Sequence, residues 1–161
     1  MHIRYAALIL SALLVAPSWG SDQYTLLNLA IDRASSDSED RRYLHEMSVL
    51  ESSKKVRKYQ PQVRQNMDYL GTHNVCLFAQ LRREGLIWDA KTWQTSAQWQ
   101  AWRQLFQERP DIGTLYAARH FLHLKRKVGR DRAVELWKAG KSGTVPGLLY
   151  LMRVQTGRFP E

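Results

Sequence analysis

Cysteine is all but missing: Cys76 is the single one in the chain. No intrachain disulfide can form, so a disulfide-stapled scaffold is excluded, and a multi-cysteine zinc site with it. Cys76 lies within NVCLFAQL, where a small buried hydrophobe is expected rather than an exposed, electropositive nucleophile. Proline and glycine are sparse, 5 and 9 of 161 residues. No Pro-, Gly- or Ser-rich stretch divides the chain and no internal repeat is visible, so one domain is expected. Acid is the minority charge, 15 Asp and Glu against 24 Lys and Arg, for a net charge of +9. That surplus favours anionic partners: a wall polymer, lipid headgroups or nucleic acid. Histidine clusters are lacking too. His120 and His123 share a helix face at i, i+3, but no third ligand stands near them in the sequence, so no metal site is expected.

What is present begins with MHIRYAALILSALLVAPSWG. Arg4 precedes an apolar run from Tyr5 to Ala16, Pro17 breaks it, and Ser18-Trp19-Gly20 supplies small residues for a peptidase. The run is too short to cross a bilayer, which takes about 18 residues or more. This layout predicts a signal peptide over residues 1–20 and an exported protein, periplasmic or secreted. Residues 21–161 then form one domain with a single sizeable core. Export argues against nucleic acid. The basic runs Lys54-Lys55 with Arg57-Lys58 and Lys125-Arg126-Lys127 are not interleaved with aromatics as a nucleic-acid groove would be, and read as solvated faces.

Helical periodicity dominates the rest, and the fold class expected is all-α, six to seven short helices. QYTLLNLAIDRA (23–34) places Leu26, Leu27, Ala30 and Ile31 on one face. Ser36 and Glu39 match a capping box opening a second helix, with Tyr43, Met47 and Leu50 in its stripe and an end near Glu51-Ser52. KKVRKYQPQ, closed by Pro61, reads as a loop. Val75–Leu81 fits a short strand or a buried helix start equally well. A helix over 96–108 carries Trp99, Trp102 and Phe106 on one side, and both tryptophans are expected in the core. Trp88 and Trp93 fit a core or a sugar-stacking role. Further helices are expected over 111–129, stopped by Gly129; over 131–140, capped by Asp131 and stopped by Gly140; and over 148–157.

Glu51 is the residue on which function turns. By spacing alone it is a solvated charge at a helix end. It also borders the apolar stripe, four residues after Met47. A carboxyl held against apolar groups at the negative end of a helix is harder to ionise. That is what a general acid needs in order to protonate a glycosidic oxygen. Lys54 and Lys55 oppose the effect.

VLESS, then NVCLFAQL, then RPDIGTLYAARHFLHLKRKVGRDRAVELWKAGKSG and LLYLMRVQ resemble, in that order, the lytic transglycosylase and goose-type lysozyme domain family. The likeness covers residues 43–155. Glu51-Ser52 match the family's helix-ending Glu-Ser, in which Glu is the catalytic acid/base. CLFAQL matches in part the segment that lines the glycan cleft, with Gln80 as the cleft glutamine after a one-residue bulge or Ala79 in its place. AVELWKAG stands where the family has Ala-X-X-Tyr-Asn-X-Gly, and Tyr150 with Val154 fit the final helix. Cys76 replaces a Gly, and Trp137-Lys138 replace Tyr-Asn.

The resemblance implies a lysozyme-like helical domain with a glycan cleft that cleaves the N-acetylmuramic acid–N-acetylglucosamine bond of peptidoglycan. Glu51 would be catalytic, and Ser52, Phe78, Gln80, Trp137 and Tyr150 would bind substrate. A transglycosylase, the form the resemblance favours, needs Glu51 alone, with no metal or cofactor implied; a hydrolase usually adds a second carboxylate, for which Asp68 is nearest in sequence. Asp68 reads first as a turn residue beside Gly71. The partners implied are peptidoglycan glycan strands, with a cell-wall-spanning apparatus compatible with them. The replacements at Cys76 and Trp137-Lys138 leave an alternative: a glycan-binding module on the same fold that does not cut.

Overall fold

The computed structural model describes residues 23–56 and 67–157, the side chains of 23, 24 and 52–56 excepted. The expected signal peptide, residues 57–62 of the loop expected over 54–62 and the side chain of Ser52 therefore lie outside the described residues, while residues 54–56 of that loop are helical. Among those described there are seven α-helices, one 3-10 turn (Trp93–Thr95) and no strand: α1 (Gln23–Ala34), α2 (Ser38–Val56), α3 (Asn74–Arg83), α4 (Ala97–Glu108), α5 (Pro110–Val128), α6 (Arg130–Ala139) and α7 (Val145–Thr156). The chain is all-α, and Val75–Leu81 belongs to a helix.

Helix α5 is the centre: α1, α3, α4 and α6 all pack on it, while α7 lies on α6 and α2. Its sequence suits that place. Ile112, Tyr116, Ala117, Ala118 and Phe121 are buried, and the small residues among them let neighbouring helices approach closely. Trp99 and Phe106 are fully buried, and Trp102 and Trp93 pack partly buried against the same core. Trp99 meets Phe78 and Phe106 edge-on, with centroids 6.1 Å and 6.5 Å away. Trp88 is exposed.

Four boundaries differ from the sequence reading. Helix α2 is capped by Asp37, whose Oδ1 accepts the Asp40 amide at 2.9 Å; the Ser36–Glu39 box is not formed because the helix starts two residues after Ser36. It also runs on to Val56, so Glu51 sits inside the helix and not at its negative end. Asp131 does not cap α6, which begins at Arg130; its carboxylate instead accepts the Tyr43 hydroxyl at 2.9 Å. Helix α7 starts at Val145 because Thr144 Oγ1 accepts the Gly147 amide at 3.3 Å and Pro146 is tolerated in the first turn.

Two fastenings fix the helices around the region of Glu51. The buried Asp40 carboxylate accepts Lys125 Nζ at 2.7 Å and Arg130 Nε at 2.8 Å, clamping the start of α2 to the end of α5 and the start of α6. The second is steric. A Cβ on Gly113 would fall 1.8 Å from the Met67 carbonyl oxygen, so the chain at Met67 lies directly on the backbone of α5. Gly113→Ala should therefore force this segment off α5 and cost about 3 kcal/mol. The drop in urea midpoint at unchanged helical content checks it; a stability equal to wild type would refute the close approach.

Candidate functional site

Four segments meet at Glu51: α2, the turn from Met67 to Thr72, the end of α6 and the inner face of α7. The turn is built by Asp68. Its buried carboxylate accepts the Leu70 amide at 2.7 Å, the Thr72 amide at 3.2 Å and the Thr72 hydroxyl at 3.1 Å, so the side chain substitutes for the backbone partners a turn lacks. From outside, Thr114 Oγ1 accepts the Tyr69 amide at 2.9 Å and Trp137 Nε1 donates to the Leu70 carbonyl at 3.0 Å.

These bonds hold Gly71 at φ +65, with the place of its absent Cβ 3.0 Å from Glu51 Oε2. Only glycine takes that backbone conformation without strain and leaves room for the carboxylate. Opposite, Lys138 Nζ is 3.8 Å from Glu51 Oε1 and 5.3 Å from the Tyr150 ring centroid. The Tyr150 hydroxyl is buried and, among the described residues, makes no hydrogen bond of good geometry. Burial first, then the Glu51 charge and a loose side-chain contact with that carboxylate, push its pKa up. It stays a phenol, an O–H donor whose charged neighbour is Glu51. The Glu51 side chain keeps 22% of its surface exposed: shielded on several sides, still open to a ligand.

The remaining expected site residues are placed differently. Trp137 reaches the site through Leu70, and its ring lies 5.9 Å from His120 and 6.1 Å from Phe121. Phe78 is buried in the core against Trp99. Gln80 is buried too, and its contacts lie in a polar network: it donates to Glu84 Oε2 at 2.9 Å and accepts Arg83 Nη2 at 2.6 Å. Arg83 in turn donates to His120 Nδ1 at 2.7 Å. A guanidinium only donates, so His120 must accept on that nitrogen and stay neutral. Burial, Arg83 and His123 accordingly lower its pKa to about 4. Thus Glu51 and Tyr150 are brought together, Trp137 joins them at one remove, and Gln80 and Phe78 lie behind. The Cys76 thiol is half-buried, and burial pushes its pKa up, as befits a packing residue.

Sequence reading missed Gly71 and Lys138. The Asp68–Gly71 pair does carry turn chemistry in DYLGT, but nothing local says that the turn faces Glu51, 20 residues upstream. Lys138 comes from α6, and only the packing of α6 on α7 brings it over Tyr150. Comparison with protein-family models, with curated proteins and with solved structures finds no match for this chain.

Asp68 makes the site pH-sensitive. Burial raises its pKa from 3.8 to about 7, its own turn bonds pull the other way, and the Glu51 charge adds to the rise. An acid whose pKa is higher folded than unfolded binds its proton more tightly in the folded state. Its contribution to stability is then full below about pH 4 and is lost as pH climbs through 7. Three units correspond to on the order of 4 kcal/mol. Wild type should lose more stability between pH 4.5 and pH 8 than Asp68→Asn does, whose amide oxygen still accepts the turn amides. Parallel pH profiles of the two urea midpoints would contradict the assignment.

Proposed function

We propose that the chain is an exported peptidoglycan-cleaving enzyme of the lysozyme-like, lytic-transglycosylase kind, with Glu51 as its one acid/base. The observation that carries the reading is the setting of Glu51: a half-buried carboxyl enclosed by Gly71, Lys138 and Tyr150, from three separate segments. That supports a catalytic group over a helix-surface charge, which would need no enclosure. The single-acid form is favoured because Asp68, the nearest second carboxylate, is buried and uses its oxygens on Leu70 and Thr72; it has no face to offer a water.

In this reading peptidoglycan glycan strands lie along a cleft over Glu51. Tyr150 and Trp137 form its near wall, Ser52 follows Glu51, and Phe78 and Gln80 are packing behind it. Glu51 gives its proton to the oxygen between N-acetylmuramic acid and N-acetylglucosamine as the C1–O bond breaks. The resulting carboxylate takes the proton of the muramoyl C6 hydroxyl as that oxygen bonds to C1, closing a 1,6-anhydro ring. Acid and base are one group used twice, and no metal or cofactor enters.

A second reading rests on Lys138. An ammonium beside Glu51, where the resembled family carries Asn, holds the carboxylate in an ion pair instead of leaving it a proton to donate. The chain would then hold glycan without cutting it. The pair is long and Lys138 is about half exposed, so it is weak and screened, which favours the enzyme.

Digestion of purified peptidoglycan with mass analysis of the muropeptides separates the two. Anhydro-ended products are expected from wild type and should fall about 10²–10⁴-fold with Glu51→Gln. Lys138→Asn should leave or raise the activity. Reducing-ended products would make it a hydrolase. A wild type that pellets with the wall and releases nothing, while Lys138→Asn cuts, would establish the binding module.

A further inference from the structure

Helix α7 is apolar on two faces. Gly147, Tyr150 and Val154 face inward and are buried. Val145, Leu148, Leu149 and Met152, at i, i+3, i+4 and i+7, keep between 44% and 69% of their surface exposed. Single exposed aliphatic residues are ordinary, but four in one helical stripe form a continuous patch of the kind that marks a contact surface. The stripe cannot turn inward. Gly147 lies so close to α6 that a Cβ there would sit 3.3 Å from Glu135 Cβ, and Glu135 Oε1 accepts the Gly143 amide at 3.2 Å to fix the turn between the helices. The outward aim of these side chains is therefore built into the fold.

The chemistry of the patch selects what covers it. Its members are aliphatic or thioether, without the Trp, Tyr and Arg anchors that dominate protein hot spots. One face of a 12-residue helix also offers well under the roughly 800 Å² per partner that a stable complex buries, so a second copy would be held poorly. Helix α7 carries no Asp or Glu; its charged residue is Arg153, and Lys141 stands in the turn that leads into it. The nearby acids stand off the stripe: Glu135 against Gly147 and Glu51 beside Tyr150 on the inner side, and Asp131, which accepts Gln155 and Tyr43, with Glu46 beside Gly157 at the far end. An aliphatic stripe bordered by cations in a chain of net charge +9 is complementary to a bilayer surface: apolar side chains at the acyl boundary, Lys and Arg among phosphate headgroups.

We propose that the outer face of α7 rests on an anionic lipid membrane, with Leu148, Leu149, Met152 and Val145 dipping below the headgroups. The protein would lie on the bilayer through this helix, leaving the Glu51 side of α7 turned away from the lipid. This does not depend on the glycan reading.

The test uses the full chain with Cys76→Ser and one environment-sensitive fluorophore, at Met152→Cys or, as control, at the exposed Gln100→Cys on α4. With phosphatidylcholine vesicles that contain phosphatidylglycerol, the Met152 label should shift to the blue and be quenched by acyl-chain nitroxide lipids, and the Gln100 label should not. Leu148→Glu with Leu149→Glu should weaken the response at least about tenfold, and salt should weaken it too. No shift at Met152, or equal shifts at both labels, would overturn the proposal. So would a shift that needs no vesicles and grows with protein concentration, which would place a second copy on the stripe. The labelled wild-type surface answers even if the double variant folds poorly.

Discussion

The close approach of the Met67 carbonyl to Gly113 is the constraint on which the candidate site rests. Helix α5 is the hub, and at its first turn it presents a bare backbone. Because no side chain stands there, the chain entering from α2 can lie on the helix and begin its turn in a fixed place. Everything that surrounds Glu51 on that side follows. Thr114, the next residue of α5, receives the Tyr69 amide; Asp68 closes the turn on itself; Gly71 then falls against the carboxylate. A larger residue at 113 would push the Met67 carbonyl off the helix and carry the turn, with Gly71, away from Glu51.

Charge is handled inside this small domain in two ways. Asp40 is buried as an ion, paid for by two cations from different helices, and so ties three helix ends together. Breaking such a cluster is costly because an uncompensated charge stays behind. Asp68 is buried with neutral partners only, two amides and a hydroxyl, and its raised pKa measures how incompletely they replace water. The first carboxylate fastens the frame and the second shapes a turn. The His120–Arg83 contact follows the same logic with the signs reversed: a buried imidazole beside a guanidinium is kept neutral, and so serves as an acceptor in the wall behind Trp137.

Helices were legible in the sequence where an apolar stripe repeats at 3.6 residues and a stop follows, as in α5 with Gly129 and α6 with Gly140. Short-range rules failed where two residues compete for one task. Asp37, not Ser36, caps α2, since its carboxylate accepts the Asp40 amide and so takes the place that the capping box would have used. Helix α7 begins at Val145 and not at residue 148, because Thr144 caps it and a proline in the first turn gives up an amide that had no partner in any case. Of the site, the order Glu51, Trp137, Tyr150 could be read from local motifs. Gly71 over Glu51 and Lys138 over Tyr150 could not, since each is a contact between segments whose relative placement is decided by the core. Gln80 illustrates the opposite risk: its place in a motif suggests a ligand contact, yet its amide is satisfied by Arg83 and Glu84.

The case for Glu51 as the working group comes from comparing the well-shielded carboxylates. Asp40, Asp111 and Glu84 are each no more than 27% exposed, and each is held by a cation at 2.6–2.8 Å. Asp68 is fully engaged by its turn. Glu51, with 22% of its side chain exposed, is shielded about as well as Glu84, but among the described residues its ionic contact is 3.8 Å long and the Tyr150 hydroxyl beside it makes no hydrogen bond of good geometry. Folding alone has no use for a carboxyl desolvated and then left half-satisfied, since the desolvation costs stability that tight bonding would recover. Such a cost is tolerated where the unsatisfied valence is kept for a ligand. Two shielded acids among those described lack a close cation: Glu135, which is closed in by the Gly143 amide and Gly147, and Glu51, which keeps 22% of its side chain exposed next to the buried Tyr150 hydroxyl and so is the one a ligand can reach.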